Sequence, residues 1–122
     1  TALSLQRLLS WLMAPLAWMA GIPWDESAVA GSLLGTKTVL NELVAYLDMA
    51  RLSPDVLAPR SRIIMTYTLC GFANLGSLGI LLGGMCAIAP DRRSEIVELG
   101  PRTLISGTLA TLSCGSVVAM LL

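Results

Sequence analysis

Uncharged positions fall in long runs along this chain, and the charges gather between them. After Arg7, residues 8–24 form a 17-residue stretch without a charge, 63–90 give 28 more, and 103–122 another 20. At about 1.5 Å of helical rise per residue, these stretches reach roughly 25, 42 and 30 Å. A hydrocarbon core is about 30 Å thick, so each is long enough to cross it. The pattern predicts transmembrane helices over about 3–24, 62–90 and 101–122.

Residues 25–62 read differently. Two apolar pieces, 27–36 and 39–47, flank the sequence Gly35-Thr36-Lys37-Thr38. Each piece is about ten residues long, too short to span but suited to one arm of a re-entrant hairpin, here expected over 25–51. The interruption then sits at Gly35–Thr38, with Lys37 and Glu42 close by. The alternative is a single tilted helix over 27–49 whose two charges face other helices. Ser53-Pro54 and Ala58-Pro59 mark a break before the second long stretch. Asp91-Arg92-Arg93-Ser94-Glu95 predicts another, with Pro101 in the first turn of a new helix.

The second stretch is longer than a simple span needs. Gly71, Gly76 and Gly79 lie within nine residues, and each costs about 1 kcal/mol in a helix interior. A discontinuous helix follows, with halves at about 62–70 and 77–89 around an unwound piece. Beyond it, Gly79, Gly83 and Gly84 predict a close helix-packing surface. The fold class expected is therefore all-α, a polytopic membrane protein fragment with a re-entrant helical hairpin and a discontinuous transmembrane helix.

Composition agrees. Hydrophobic residues make up 55% of the 122, charged residues only 13%, and mean hydropathy is +0.75. Soluble domains carry nearer a quarter charged residues. Eight basic side chains offset eight acidic ones, which leaves no electrostatic footprint for nucleic acid. Histidine is absent, and with it the commonest metal ligand and general base. A water-soluble enzyme, a disordered linker and a disulfide-rich secreted module are excluded. Cys70, Cys86 and Cys114 have no metal spacing and read as small packing residues. Arg7, Arg92, Arg93 and Arg102 on one face against Arg51, Arg60 and Arg62 on the other lean towards a cytoplasmic 91–102 loop. The chain starts at Thr1 with no cleavage site behind its apolar stretch, and is expected to be the tail of a longer protein.

A charge at bilayer depth costs roughly 2.5–3.5 kcal/mol, so it lines a cavity or meets a partner. Glu42 is the strongest case. It is read either as a ligand- or ion-binding carboxylate or as one half of an ion pair with Lys37 or with a basic group elsewhere in the fold. Lys37 is expected to snorkel, to neutralise Glu42 or to support the site together with Asn41. In the glycine-rich break, Asn74 offers donors and acceptors, Ser77 a hydroxyl and Phe72 a flat apolar face. Gly35-Thr36-Lys37-Thr38 resembles the end of a phosphate-binding loop, but the spacing from Gly31 is wrong and Thr36 precedes the lysine.

"GTKTVLNELVAY" at 35–46 and "YTLCGFANLGSLGILLGG" at 67–84 closely resemble the carboxyl-terminal region of the concentrative nucleoside transporters. "APRSRIIMTYTLCGFAN" at 58–74 and "GPRTLISGTLATLSCGSVVAML" at 100–121 are similar to that family too. The resemblance implies a long helix, a re-entrant hairpin, a discontinuous helix and a final helix. It further implies that Glu42, Asn74 and Ser77 bind ribose hydroxyls and that Phe72 packs against the nucleoside. Charge-assisted hydrogen bonds from paired hydroxyls suit a carboxylate. The implied function is part of a cation-coupled importer working by alternating access, coupled to sodium or protons bound mainly outside this chain. The nucleobase contacts belong to the other inverted repeat, so these residues supply half a site. A homotrimer in a bacterial inner membrane, with no cofactor and no resident metal, completes the expectation. The rival reading is a structural or assembly subunit whose polar residues only hold helices together.

Overall fold

The computed structural model describes residues 4–122, all of it helix or short linker, with no strand among the described residues. Helix α1 (Leu5–Met19) starts at Ser4, whose hydroxyl accepts from the Arg7 amide at 3.3 Å. It stops short of the expected Trp24. Gly21 adopts φ +103°, and Ile22 N–H donates to Ala17 and Gly21 N–H to Trp18. Those two bonds form a Schellman turn, which only a residue free of a Cβ closes cheaply. Helix α2 (Trp24–Val39) follows with Asp25 and Glu26 in its first turn, where acids favour the helix dipole. It crosses α1 at Gly31, where an added Cβ would lie 2.6–2.9 Å from the backbone of Ser10 and Ala14. The two backbones are in contact.

Gly35, Thr36, Lys37 and Thr38 stay helical, against the expected interruption there. Thr38 bonds back to the Leu34 carbonyl at 2.8 Å inside the helix. The chain breaks instead at Leu40 and Asn41, because Asn41 is extended and its side chain accepts from Val44 N–H at 2.9 Å. That cap starts α3 (Glu42–Arg51), which packs on α2. Leu52 to Ala58 form a linker stitched by Arg62. Its guanidinium donates to the carbonyls of Met49, Leu52, Ser53 and Leu57 at 2.9–3.3 Å. One planar fork thus satisfies the end of α3 and the turn beyond it.

Helix α4 (Pro59–Leu69) opens with proline at its first position, buries Ser61, Ile64, Met65, Thr68 and Leu69, and ends at Cys70. After an unwound piece, α5 (Leu75–Ile88) begins on Asn74 and buries no residue. Gly79, Gly83 and Gly84 meet nothing within 4 Å. The packing surface expected of them is therefore not made within this chain. Cys70 and Cys114 are exposed and Cys86 half-buried, so the packing role expected of the cysteines is not met within it either.

A 3₁₀ turn (Pro90–Arg92) leads straight into α6 (Arg93–Leu121), 29 residues without a break. Here the expectation fails: 91–102 is no loop, and Pro101 lies inside the helix. Proline removes one hydrogen bond, and the Arg102–Glu98 ion pair bridges the turn around it. The run from Pro90 to Leu121 is, among the described residues, the one helix long and apolar enough to cross a membrane alone. Glycines on α6 set how closely its neighbours approach. A Cβ on Gly100 would meet Leu82 of α5 at 2.6 Å, one on Gly107 would meet Ala73 at 2.9 Å, and one on Gly115 would overlap Thr68 of α4. At 100° per residue these glycines fall within about 80° of arc, so one face of α6 carries both halves of the broken helix. The core, with Ala17, Ala30, Leu34, Ala45, Ile64, Met65, Leu69 and Leu112, is gathered from α1, α2, α3, α4 and α6.

Candidate functional site

Two helix starts converge where the chain is unwound. Asn41 begins α3 and Asn74 begins α5 with the same chemistry, an amide oxygen accepting the backbone N–H three residues on. At Asn74 the cap is reciprocal: Asn74 accepts from Ser77 N–H at 2.8 Å, and the Ser77 hydroxyl accepts from Asn74 N–H at 3.3 Å. Ser77 also reaches the Phe72 and Asn74 carbonyls. The Asn74 amide nitrogen donates to Phe72 O at 3.3 Å and to Glu42 Oε2 at 3.5 Å. Asn74 is 4% exposed and Phe72 is 78% exposed. One residue is fixed in the break while its neighbour presents a bare ring.

The four site residues read from the sequence thus lie together, in two subsets. Phe72, Asn74 and Ser77 line an open cleft of about 470 Å³ between the break, α5 and α6, with Leu81, Thr103 and Leu104 on its other walls. Glu42 does not line that cleft. It stands at the start of α3 and joins the group through Asn74. At 3.5 Å that contact is long for a hydrogen bond, so both carboxylate oxygens keep acceptor capacity. Two helix N-termini, a carboxylate and an amide make a setting that suits a ligand with adjacent hydroxyls. No cluster of three potential metal ligands occurs among the described residues.

The two supporting residues go elsewhere. Asn41 is occupied by its cap. Lys37 neither snorkels nor pairs with Glu42: it is 2% exposed, and its Nζ donates to the Thr68 carbonyl and the Thr111 hydroxyl, each at 3.1 Å. Sequence reasoning missed Thr111, which sits in an apolar stretch with no local signal. It also missed Tyr46, whose hydroxyl donates to Thr66 O at 2.6 Å and ties α3 to α4.

The family described as "Na+ dependent nucleoside transporter C-terminus" matches residues 1–119. The chain is 41% identical over 116 residues to the putative nucleoside permease NupX of Escherichia coli, covering 93% of this chain and 28% of that one. It is 36% identical over 122 residues to the nucleoside permease NupC of Helicobacter pylori, covering 97% of this chain and 29% of that one. Among solved structures, CNTnw in an inward-facing substrate-bound state superposes with a TM-score of 0.82 at 44% identity, over 96% of this chain and 29% of that one. The chain spans about 30% of the length of these relatives. An all-helical membrane architecture, a near-complete family match and a transporter's tertiary arrangement agree: this chain belongs to the Na+ dependent nucleoside transporters, and corresponds to their carboxyl-terminal region.

Proposed function

We propose that this chain is the carboxyl-terminal part of a cation-coupled nucleoside importer and supplies the ribose-binding half of its site. The observation that carries the reading is the approach of Glu42 and Asn74 to 3.5 Å from two separate helix starts. A carboxylate with free lone pairs accepts from two vicinal hydroxyls, and the Asn74 amide adds a donor or acceptor beside it. Ser77 holds Asn74 in place, and Phe72 offers an apolar face to the nucleoside. An analogue lacking a hydroxyl leaves buried polar groups unpaired, which gives discrimination.

Transport by alternating access is supported by the states in which similar structures were captured, one inward-facing with substrate and one outward-facing. The relatives are named permeases and cotransporters, which supports a transporter rather than an enzyme. The coupling ion, sodium or a proton, is held mainly by residues outside this chain, as is the nucleobase. The assembled protein is a homotrimer in a bacterial inner membrane.

The test is uridine uptake by the full-length transporter carrying Glu42→Gln or Asn74→Ala. Loss of uptake at normal expression is expected; unchanged uptake removes both residues from the site. A structural or assembly subunit instead predicts lower folded yield and no thermal stabilisation by uridine in detergent.

A further inference from the structure

Lys37 is a buried cation to which the proposed nucleoside chemistry gives no task. Taking an ammonium out of water is costly unless hydrogen bonds compensate it, so its partners indicate what it is for. Both lie far along the chain, 31 and 74 residues away. Thr68 is the penultimate residue of α4, and its carbonyl is one of those left without a helical partner when the chain unwinds at Cys70. This is also the negative end of the α4 dipole. Thr111 lies on the α6 face that carries the broken helix. The break itself closes over the group: a Cβ at Gly71 would stand 3.5 Å from Nζ and collide with the Thr111 methyl.

The α2–α3 pair therefore grips the break at both ends. Lys37, in the last turn of α2, holds the end of α4. Glu42, five residues on, meets Asn74 at the start of α5. Between these anchors the Leu40 carbonyl lies 4.0 Å from where a Cβ on Gly76 would be. We propose that Lys37 is a positioning residue for nucleoside binding: its side chain docks the α2–α3 pair on the break and on Thr111, and so keeps Glu42 in register with Asn74. It touches no substrate. The inference rests on the reading of Glu42 and Asn74 as nucleoside contacts.

The experiment uses the full-length transporter in detergent, with uridine Kd from calorimetry and the melting temperature taken without nucleoside. Lys37→Met should raise the Kd about tenfold, Thr111→Val about threefold, and Thr111→Ser, which keeps the hydroxyl, less than twofold. A merely structural role moves melting temperature and yield but leaves the Kd of the folded fraction alone. If Lys37→Met does not give monodisperse protein, the Thr111 pair decides, since valine keeps the methyl that packs on Gly71. Binding within twofold of wild type in both Lys37→Met and Thr111→Val overturns the role of Lys37. If Glu42→Gln loses affinity in the same series, the nucleoside reading stands without it. If Glu42→Gln binds as wild type, that reading falls and this inference with it.

Discussion

Replacing Glu42 by Gln removes a charge and almost no volume. Its cost to folding should be small, because among the described residues the carboxylate forms no salt bridge and the hydrogen bond it accepts from the Asn74 amide is 3.5 Å long. A long contact of this kind contributes under about 1 kcal/mol. The cost to binding should be larger. A hydrogen bond to a charged group is worth about 1.5–3 kcal/mol and a neutral one about 0.5–1.5, so each hydroxyl loses about 1–1.5 kcal/mol. That is roughly tenfold in affinity per hydroxyl, and about a hundredfold for two. Comparing uridine with 2′-deoxyuridine in wild type and variant completes a cycle between the side chain and one ligand group. Wild type should prefer uridine by about tenfold or more, and in Glu42→Gln the preference should shrink to about twofold. Calorimetry on the full-length protein reads both ratios. An equal preference in the two proteins would refute the reasoning, since the carboxylate would then not sense the hydroxyl.

Three further substitutions probe the scaffold. Asn74→Ala removes the reciprocal cap of α5 and should cost about 1 kcal/mol in thermal unfolding besides lowering uridine affinity, whereas Asn74→Ser should restore most of the stability but not the affinity. Gly21→Ala should destabilise by about 1–3 kcal/mol, because its φ of +103° disfavours a Cβ and that Cβ would stand 2.6 Å from Ala119; an unchanged melting temperature would contradict this. Arg62→Met leaves four carbonyls around 49–57 without their donor and should open that linker to protease at a cost of roughly 1–3 kcal/mol, with Arg62→Lys a poor rescue because an ammonium cannot reproduce the fork.

Much of this arrangement was legible in the residues. The glycine-rich segment points to a broken helix, and the unwound piece falls at 70–74 between α4 and α5, with Gly71 in it while Gly76 and Gly79 stay inside α5. Gly35 suggests a turn that the helix does not make, while the cap that starts α3 is Asn41 accepting from Val44, a signal three residues long. Pro101 suits a helix start, yet one missing hydrogen bond does not end a helix whose turn there carries the Glu98–Arg102 ion pair. Glu42 and Asn74 stood out because polar groups in apolar stretches need a reason. Lys37 stood out too, but its partners could not be found, since no local pattern links position 37 to 68 or 111.

Gly100, Gly107 and Gly115 are seven and eight residues apart, so the contacts they permit recur at nearly two-turn intervals along one shaft. Sliding the broken helix by one turn, about 5.4 Å, would bring Leu104, Thr111 or Ala119 to places where only a hydrogen fits. Such a notched surface has a single resting position. A displacement of α6 must then carry both halves of the broken helix with it, and any slip falls at another boundary.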